Sequence, residues 1–142
     1  MPKIPFTPLG GLLIVAAFKL GQMNPTVAIA NNPEPPSPSE APVHHIVLIE
    51  LHPDVTPEEI EQTIEDNRRL ISAIPGVLEV SLGPKARYDR EVHLKDYDLG
   101  LYVKLSQNAD LDIYGPHPNH QEFLARHRSK IANIRVIDFY GE

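Results

Sequence analysis

The chain has 142 residues, no cysteine and a formal net charge of -6. That length holds one compact domain plus an appendage, not two full domains. The acidic balance argues against a nucleic-acid binder built on a basic patch, and the lack of cysteine excludes disulfides, thiolate metal sites and a Cys nucleophile. In chain order, Lys3 gives a weakly basic start, Leu9 to Phe18 is uncharged and largely apolar, and Ala28-Ile29-Ala30 has the small-x-small form of a signal-peptidase site. The apolar run is shorter than the ~20 residues a spanning helix needs. Residues 1–30 are therefore expected to be a signal peptide, with export to a periplasmic or extracellular space and membrane contact only through this leader. Lys19 interrupts the stretch, so a cytoplasmic chain is the alternative. Residues 31–43 carry five prolines, at 33, 35, 36, 38 and 42, which predicts an extended linker.

The folded domain is expected over residues 44–140. Ile46-Val47-Leu48-Ile49 is an unbroken apolar run, as in a strand buried on both faces. Thr56-Pro57-Glu58-Glu59 combines a cap, a proline suited to the first helical position and a capping box. Ile60, Ile64, Asn67, Ile71 and Ile74 then mark the buried stripe of a helix that Pro75-Gly76 ends, with Glu61, Glu65, Asp66 and Arg69 off it. Val77 to Gly83 alternates, placing Leu78, Val80 and Leu82 on one buried face. Residues 84–95 read as a charged, solvated loop. Asp96 to Leu105 alternates again, with Leu99, Leu101, Val103 and Leu105 inward.

Residues 108–114 form a helical turn, Pro118 to Lys130 the second long helix and Ile134 to Tyr140 the last strand. The order predicts an α+β, ferredoxin-like βαββαβ fold with a four-stranded antiparallel sheet and both helices on one face. The other sheet face would then expose a large apolar surface. A second copy covering it gives a homodimer, a dimeric α/β barrel.

The chemistry concentrates between Tyr114 and His127. His120, Phe123, Leu124, His127 and Ile131 recur at helical spacing on one face, so His120 and Phe123 point toward whatever the helix covers. An imidazole there can take a proton α to a carbonyl, and the Tyr114 phenol can donate to the oxygen that becomes negative. The alternative is that Tyr114 packs the turn while His120 bonds a backbone carbonyl inside the core. His117, His120 and His127 raise the question of a metal. The prolines flanking His117 and the lack of a carboxylate on the stripe argue against one, so no metal and no cofactor are expected. His44 and His45, adjacent in a strand, face opposite ways, and Asp138 could orient one of them.

The segments His44-His45-Ile46-Val47-Leu48, Ala73-Ile74-Pro75-Gly76-Val77, Tyr97-Asp98-Leu99-Gly100-Leu101, Tyr114, His117-Pro118-Asn119-His120 and Ile137-Asp138-Phe139 together resemble the stress-responsive A/B barrel family. The resemblance implies a dimeric α+β barrel. One member type, a polyketide cyclase, uses a Tyr and a His that match Tyr114 and His120, and its first-strand histidine matches His45. A further pocket histidine of that cyclase falls at Leu99, a departure that weakens any claim to the same substrate. Two functions follow as expectations. The first is a small-molecule-binding or stress-associated module that takes an apolar or carbonyl ligand at His45, Tyr114, His120 and Phe123. The second is a cofactor-independent cyclase, isomerase or lyase on a carbonyl substrate, with His120 as base and Tyr114 as donor. A sizeable apolar cavity under the second long helix separates both from a filled core.

Overall fold

The computed structural model describes Ser37 and residues 40–141. The leader, and all of the linker but Ser37 and residues 40–43, lie outside the described residues. Among the described residues no helix is long and apolar enough to cross a membrane.

The elements follow as β1 (Val43–Leu51), α1 (Pro57–Ile71), β2 (Val77–Pro84), β3 (Leu99–Leu105), α2 (Asp110–Tyr114), α3 (Pro118–His127), a 3-10 turn (Arg128–Lys130) and β4 (Ile131–Tyr140). The sheet has the order β2-β3-β1-β4 with every pairing antiparallel. This is the ferredoxin-like arrangement. Strand β1 lies in the middle, which is why its sequence is apolar without alternation. Val43, Val47 and Ile49 are buried on one face beside Leu99, Leu101, Val103 and Leu105 of β3, and Leu70, Ile71, Ile74 and Phe123 of the helices close that core.

Helix α1 starts as its sequence dictates. The Thr56 hydroxyl accepts from the Glu59 backbone N–H at 3.3 Å, and the Glu59 carboxylate accepts from the Thr56 N–H at 3.0 Å. After Pro75, Gly76 turns the chain at φ 85°, and a β-carbon there would stand 2.5 Å from the Asp110 carboxyl. Both the backbone angle and the close approach require glycine.

Three expectations need correction. The buried side of α1 runs through Thr63, Asp66, Asn67, Leu70 and Ile71, so the stripe is rotated away from Ile60 and Ile64, which are only half-buried. The rotation brings Asp66 inward, to partners on α3. Leu78 is 61% exposed because the β2–β3 register shifts between Val77 and Glu79, and the extra residue of this bulge leaves the pleat. Strand β4 begins at Ile131, three residues earlier than expected, directly out of the 3-10 turn.

The second sheet face carries Ile46, Leu48, Tyr102, Ile137 and Phe139, with Phe139 48% exposed. On it the His44 ring stacks on Phe139 at 4.9 Å and its Nδ1 pairs with the Tyr102 hydroxyl at 2.9 Å.

Candidate functional site

The turn between α2 and α3 builds the site from local bonds. The His117 imidazole caps α3, its Nδ1 accepting from the Asn119 N–H at 3.1 Å, and Pro118 occupies the first helical position. The Asn119 amide donates to the Leu70 carbonyl at 3.1 Å and ties the start of α3 to the end of α1. The Gly115 carbonyl accepts twice, from His120 Nδ1 at 2.9 Å and from the Gln121 amide at 2.7 Å. A carbonyl only accepts, so His120 Nδ1 carries its hydrogen. In the neutral ring, Nε2 holds the lone pair.

Tyr114, at the end of α2, is 3% exposed. Its ring lies 4.6 Å from that of His120 and 5.5 Å, edge-on, from that of His45 on β1. His45 points to the helix side and His44 to the open face, as strand alternation requires. Asp138 of β4, directly opposite His45 in the sheet, accepts from His45 Nδ1 at 2.7 Å.

These three side chains meet at one end of a cavity of about 320 Å³ whose walls include Val47, Ile49, Phe123, Leu124 and Val136. No Lys, Arg, Asp or Glu lines it. The volume is at the lower end for small-molecule sites. Hollows of about 350 Å³ along Ile60 and Ile64 and about 360 Å³ beside Arg128 and Asn133 are more open to solvent and include charged side chains. The Tyr114 hydroxyl is buried and makes no hydrogen bond, whereas buried hydroxyls are ordinarily satisfied. Burial pushes its phenol well above the ordinary value, so it is a neutral donor. Burial pulls His120 below the ordinary imidazole value, opposed by the Gly115 bond and reinforced by nearby His45. His120 is therefore unprotonated at neutral pH. A neutral acceptor and a neutral donor in an apolar cavity can bind an oxygen function, or move a proton to and from one.

Of the residues singled out in the sequence, His45, Tyr114, His120 and Phe123 come together. His120 also makes the backbone bond that the core alternative required, through the nitrogen opposite the acceptor. The three histidines considered for a metal do not converge. His117 caps the helix, and His127 lies in a separate seam between α1 and α3, where its Nε2 donates to Asp66 at 3.0 Å and its Nδ1 sits 3.0 Å from the Thr63 hydroxyl. Among the described residues no group of three or more His, Cys, Asp or Glu could hold a metal ion. Asp66 was missed as a buried residue; the signal available was its spacing of three from both Thr63 and Arg69.

The profile of the stress responsive A/B barrel domain, Dabb, matches residues 43–140. None of the curated proteins matches the chain. Among solved structures, it is similar to a dimeric ferredoxin-like protein of unknown function from Thermobifida fusca, at 25% identity over 71% of this chain and 92% of that one, with a TM-score of 0.62. It is also similar to a hydroxynitrile lyase from Passiflora edulis, at 19% identity over 72% and 95% with a TM-score of 0.64. A Dabb-family protein with a ferredoxin-like fold from Mesorhizobium loti aligns at 22% identity over 72% and 98%, with a TM-score of 0.58. With its profile matched from the first residue of β1 to the last of β4, this chain belongs to the stress responsive A/B barrel domain family.

Proposed function

We propose that this chain is a homodimeric small-molecule-binding protein whose ligand sits between the sheet and α3, at His45, Tyr114, His120 and Phe123. The observation that carries this reading is the Tyr114 hydroxyl, buried without a partner at a cavity of about 320 Å³. Leaving such a group unpaired costs about 1–3 kcal/mol, and a ligand oxygen would recover that cost. Exchanging His120 for Ala removes the acceptor opposite it. Titration of wild-type and variant chains with small aromatic probes, followed by NMR, tests the reading: probe binding to the wild type and its loss in His120→Ala are expected. Failure of every probe to shift the resonances of His120 would contradict it.

A second copy is the occupant proposed for the open sheet face. The face is apolar around Ile46, Ile137 and Phe139, and the Thermobifida fusca protein of the same fold is dimeric. Ile46→Asp should yield monomers or aggregates by light scattering, and a wild-type chain monomeric at micromolar concentration would contradict the dimer. Export through the leader is proposed on its sequence alone, and intact-mass measurement should find a mature N-terminus near Asn31.

The second reading is catalytic, and the pairing of an unprotonated His120 with a neutral Tyr114 favours it. In it His120 takes a proton from a carbonyl-related substrate while Tyr114 donates to the developing oxyanion, a lyase, isomerase or cyclase chemistry that needs no cofactor. The hydroxynitrile lyase among the similar structures supports this class. Turnover lost in both Tyr114→Phe and His120→Ala, with the fold retained, is the result it requires.

A further inference from the structure

The tautomers of the pocket histidines restrict what can bind. His120 Nδ1–H is committed to the Gly115 carbonyl at 2.9 Å, and His45 Nδ1–H to the Asp138 carboxylate at 2.7 Å. Both partners are acceptors, and in the neutral His120 ring the lone pair is therefore on Nε2. The polar end of the cavity therefore offers the His120 acceptor and one phenol, and the Tyr114 hydroxyl bonds to neither His45 nor His120. A ligand that can only accept would pair with Tyr114 alone and leave the desolvated His120 Nε2 unmatched. A hydroxyl can donate to an Nε2 and accept from Tyr114 at once. Charge is disfavoured on either side: no Lys or Arg lines the cavity to meet an anion, and no Asp or Glu lines it to meet a cation. The Asp138 carboxylate already holds His45. An ionised ligand would lose its hydration without gaining a counter-charge.

We propose that the cavity selects uncharged, largely apolar alcohols or phenols over the ether, aldehyde or carboxylate of the same carbon frame, because His120 is fixed as an acceptor beside the Tyr114 hydroxyl. This selectivity rests on the pocket reading above and specifies its ligand class.

Four probes of one frame test it on the full chain: 2-naphthol, 2-methoxynaphthalene, 2-naphthaldehyde and 2-naphthoate, titrated at neutral pH against the imidazole resonances of His45 and His120. The naphthol is expected to bind roughly tenfold or more tightly than each of the others, the discrimination of one buried hydrogen bond made or left unmade. His120→Phe, which keeps an aromatic ring in place, should narrow the preference of naphthol over its methyl ether, and Tyr114→Phe should weaken both without narrowing it. If the ether, the aldehyde or the carboxylate shifts the same resonances at equal or lower concentration, the pocket stands and the selectivity is overturned. If none of the four shifts them, the pocket reading falls and the selectivity with it.

Discussion

Helix α3 carries two inward histidines seven residues apart, and their surroundings are opposite. At the α1–α3 seam His127 is 2% exposed and each of its nitrogens has a partner. Nε2 donates to Asp66, and Nδ1 lies 3.0 Å from the Thr63 hydroxyl and 3.3 Å from the Lys130 ammonium. Arg69 donates to the same Asp66 carboxylate at 2.9 Å. At the other end of the helix His120 has one nitrogen bonded to the backbone, and beside it the Tyr114 hydroxyl is buried with nothing bonded to it. The seam is closed polar chemistry, and the pocket is open polar chemistry. Periodicity alone puts both imidazoles inward, and only their bonding separates a histidine partnered at both nitrogens from one bonded through a single nitrogen.

The largest expected effect lies in the seam. Asp66→Ala removes the carboxylate shared by Arg69, Arg126 and His127; it strands the buried His127 N–H and takes an acceptor from two half-exposed guanidiniums, a loss of about 1.5–3 kcal/mol. Urea unfolding should show that loss. A change below about 1 kcal/mol would mean the seam is not the clamp described, and the contrast with the pocket would collapse.

A smaller effect comes from pH. Burial pulls His127 below the ordinary imidazole value of 6.5, against the Asp66 bond, and burial likewise lowers His120. Lowered folded-state values mean that the unfolded chain takes up protons first. Their contribution to stability is therefore present above pH 6.5 and lost as pH falls below it. For Asp66, burial pushes the carboxyl up, but hydrogen bonds from Arg69 and His127 and the Arg126 charge outweigh it and hold the group at about 2. Its contribution persists down to about 3.8 and disappears toward 2. Thermal melts over this range should show two successive losses, and His127→Gln should reduce the first. Melts flat from neutrality down to pH 4.5 would contradict the burial assigned to both rings.

The smallest effect sharpens the comparison most. Tyr114→Phe deletes a hydroxyl that bonds to nothing, so stability should fall by no more than about 0.5 kcal/mol and should rise by up to the ~1–3 kcal/mol that the unpaired group costs. Ligand binding should weaken nonetheless. A loss above about 1.5 kcal/mol in differential scanning calorimetry would show that the hydroxyl has a structural partner and that the pocket end is closed as well.

Much of this was legible in the sequence where one physical signal dominated. The Thr56 to Glu59 capping box, the alternation from Leu99 to Leu105 and the Pro75-Gly76 stop each rest on local chemistry, and each stands in the structure. The turn from Tyr114 to His120 was legible as a concentration of histidine and proline, and the cavity it closes was the feature named to separate ligand chemistry from a filled core. Leu78 was misplaced because a bulge is fixed by pairing with β3, which no local pattern encodes. Asp66 was misplaced because a charged residue reads as solvent-facing until its partners, 60 residues away on α3, are known. Which nitrogen of His120 is committed was likewise beyond sequence, since it depends on where the Gly115 carbonyl points.

The most direct measurement compares the two histidines in one experiment: thermal unfolding and 2-naphthol titration of His120→Ala and His127→Ala beside the wild type. His127→Ala should lose about 2–4 kcal/mol of stability, because it takes one donor from the buried Asp66 carboxylate and opens a void, and the molecules that remain folded should still bind the probe. His120→Ala should lose about 1 kcal/mol or less, since Gln121 still satisfies the Gly115 carbonyl, and should no longer bind it. The reverse pattern, with His120→Ala the more destabilised and the wild type binding no probe, would make His120 a core residue and leave the pocket without a function.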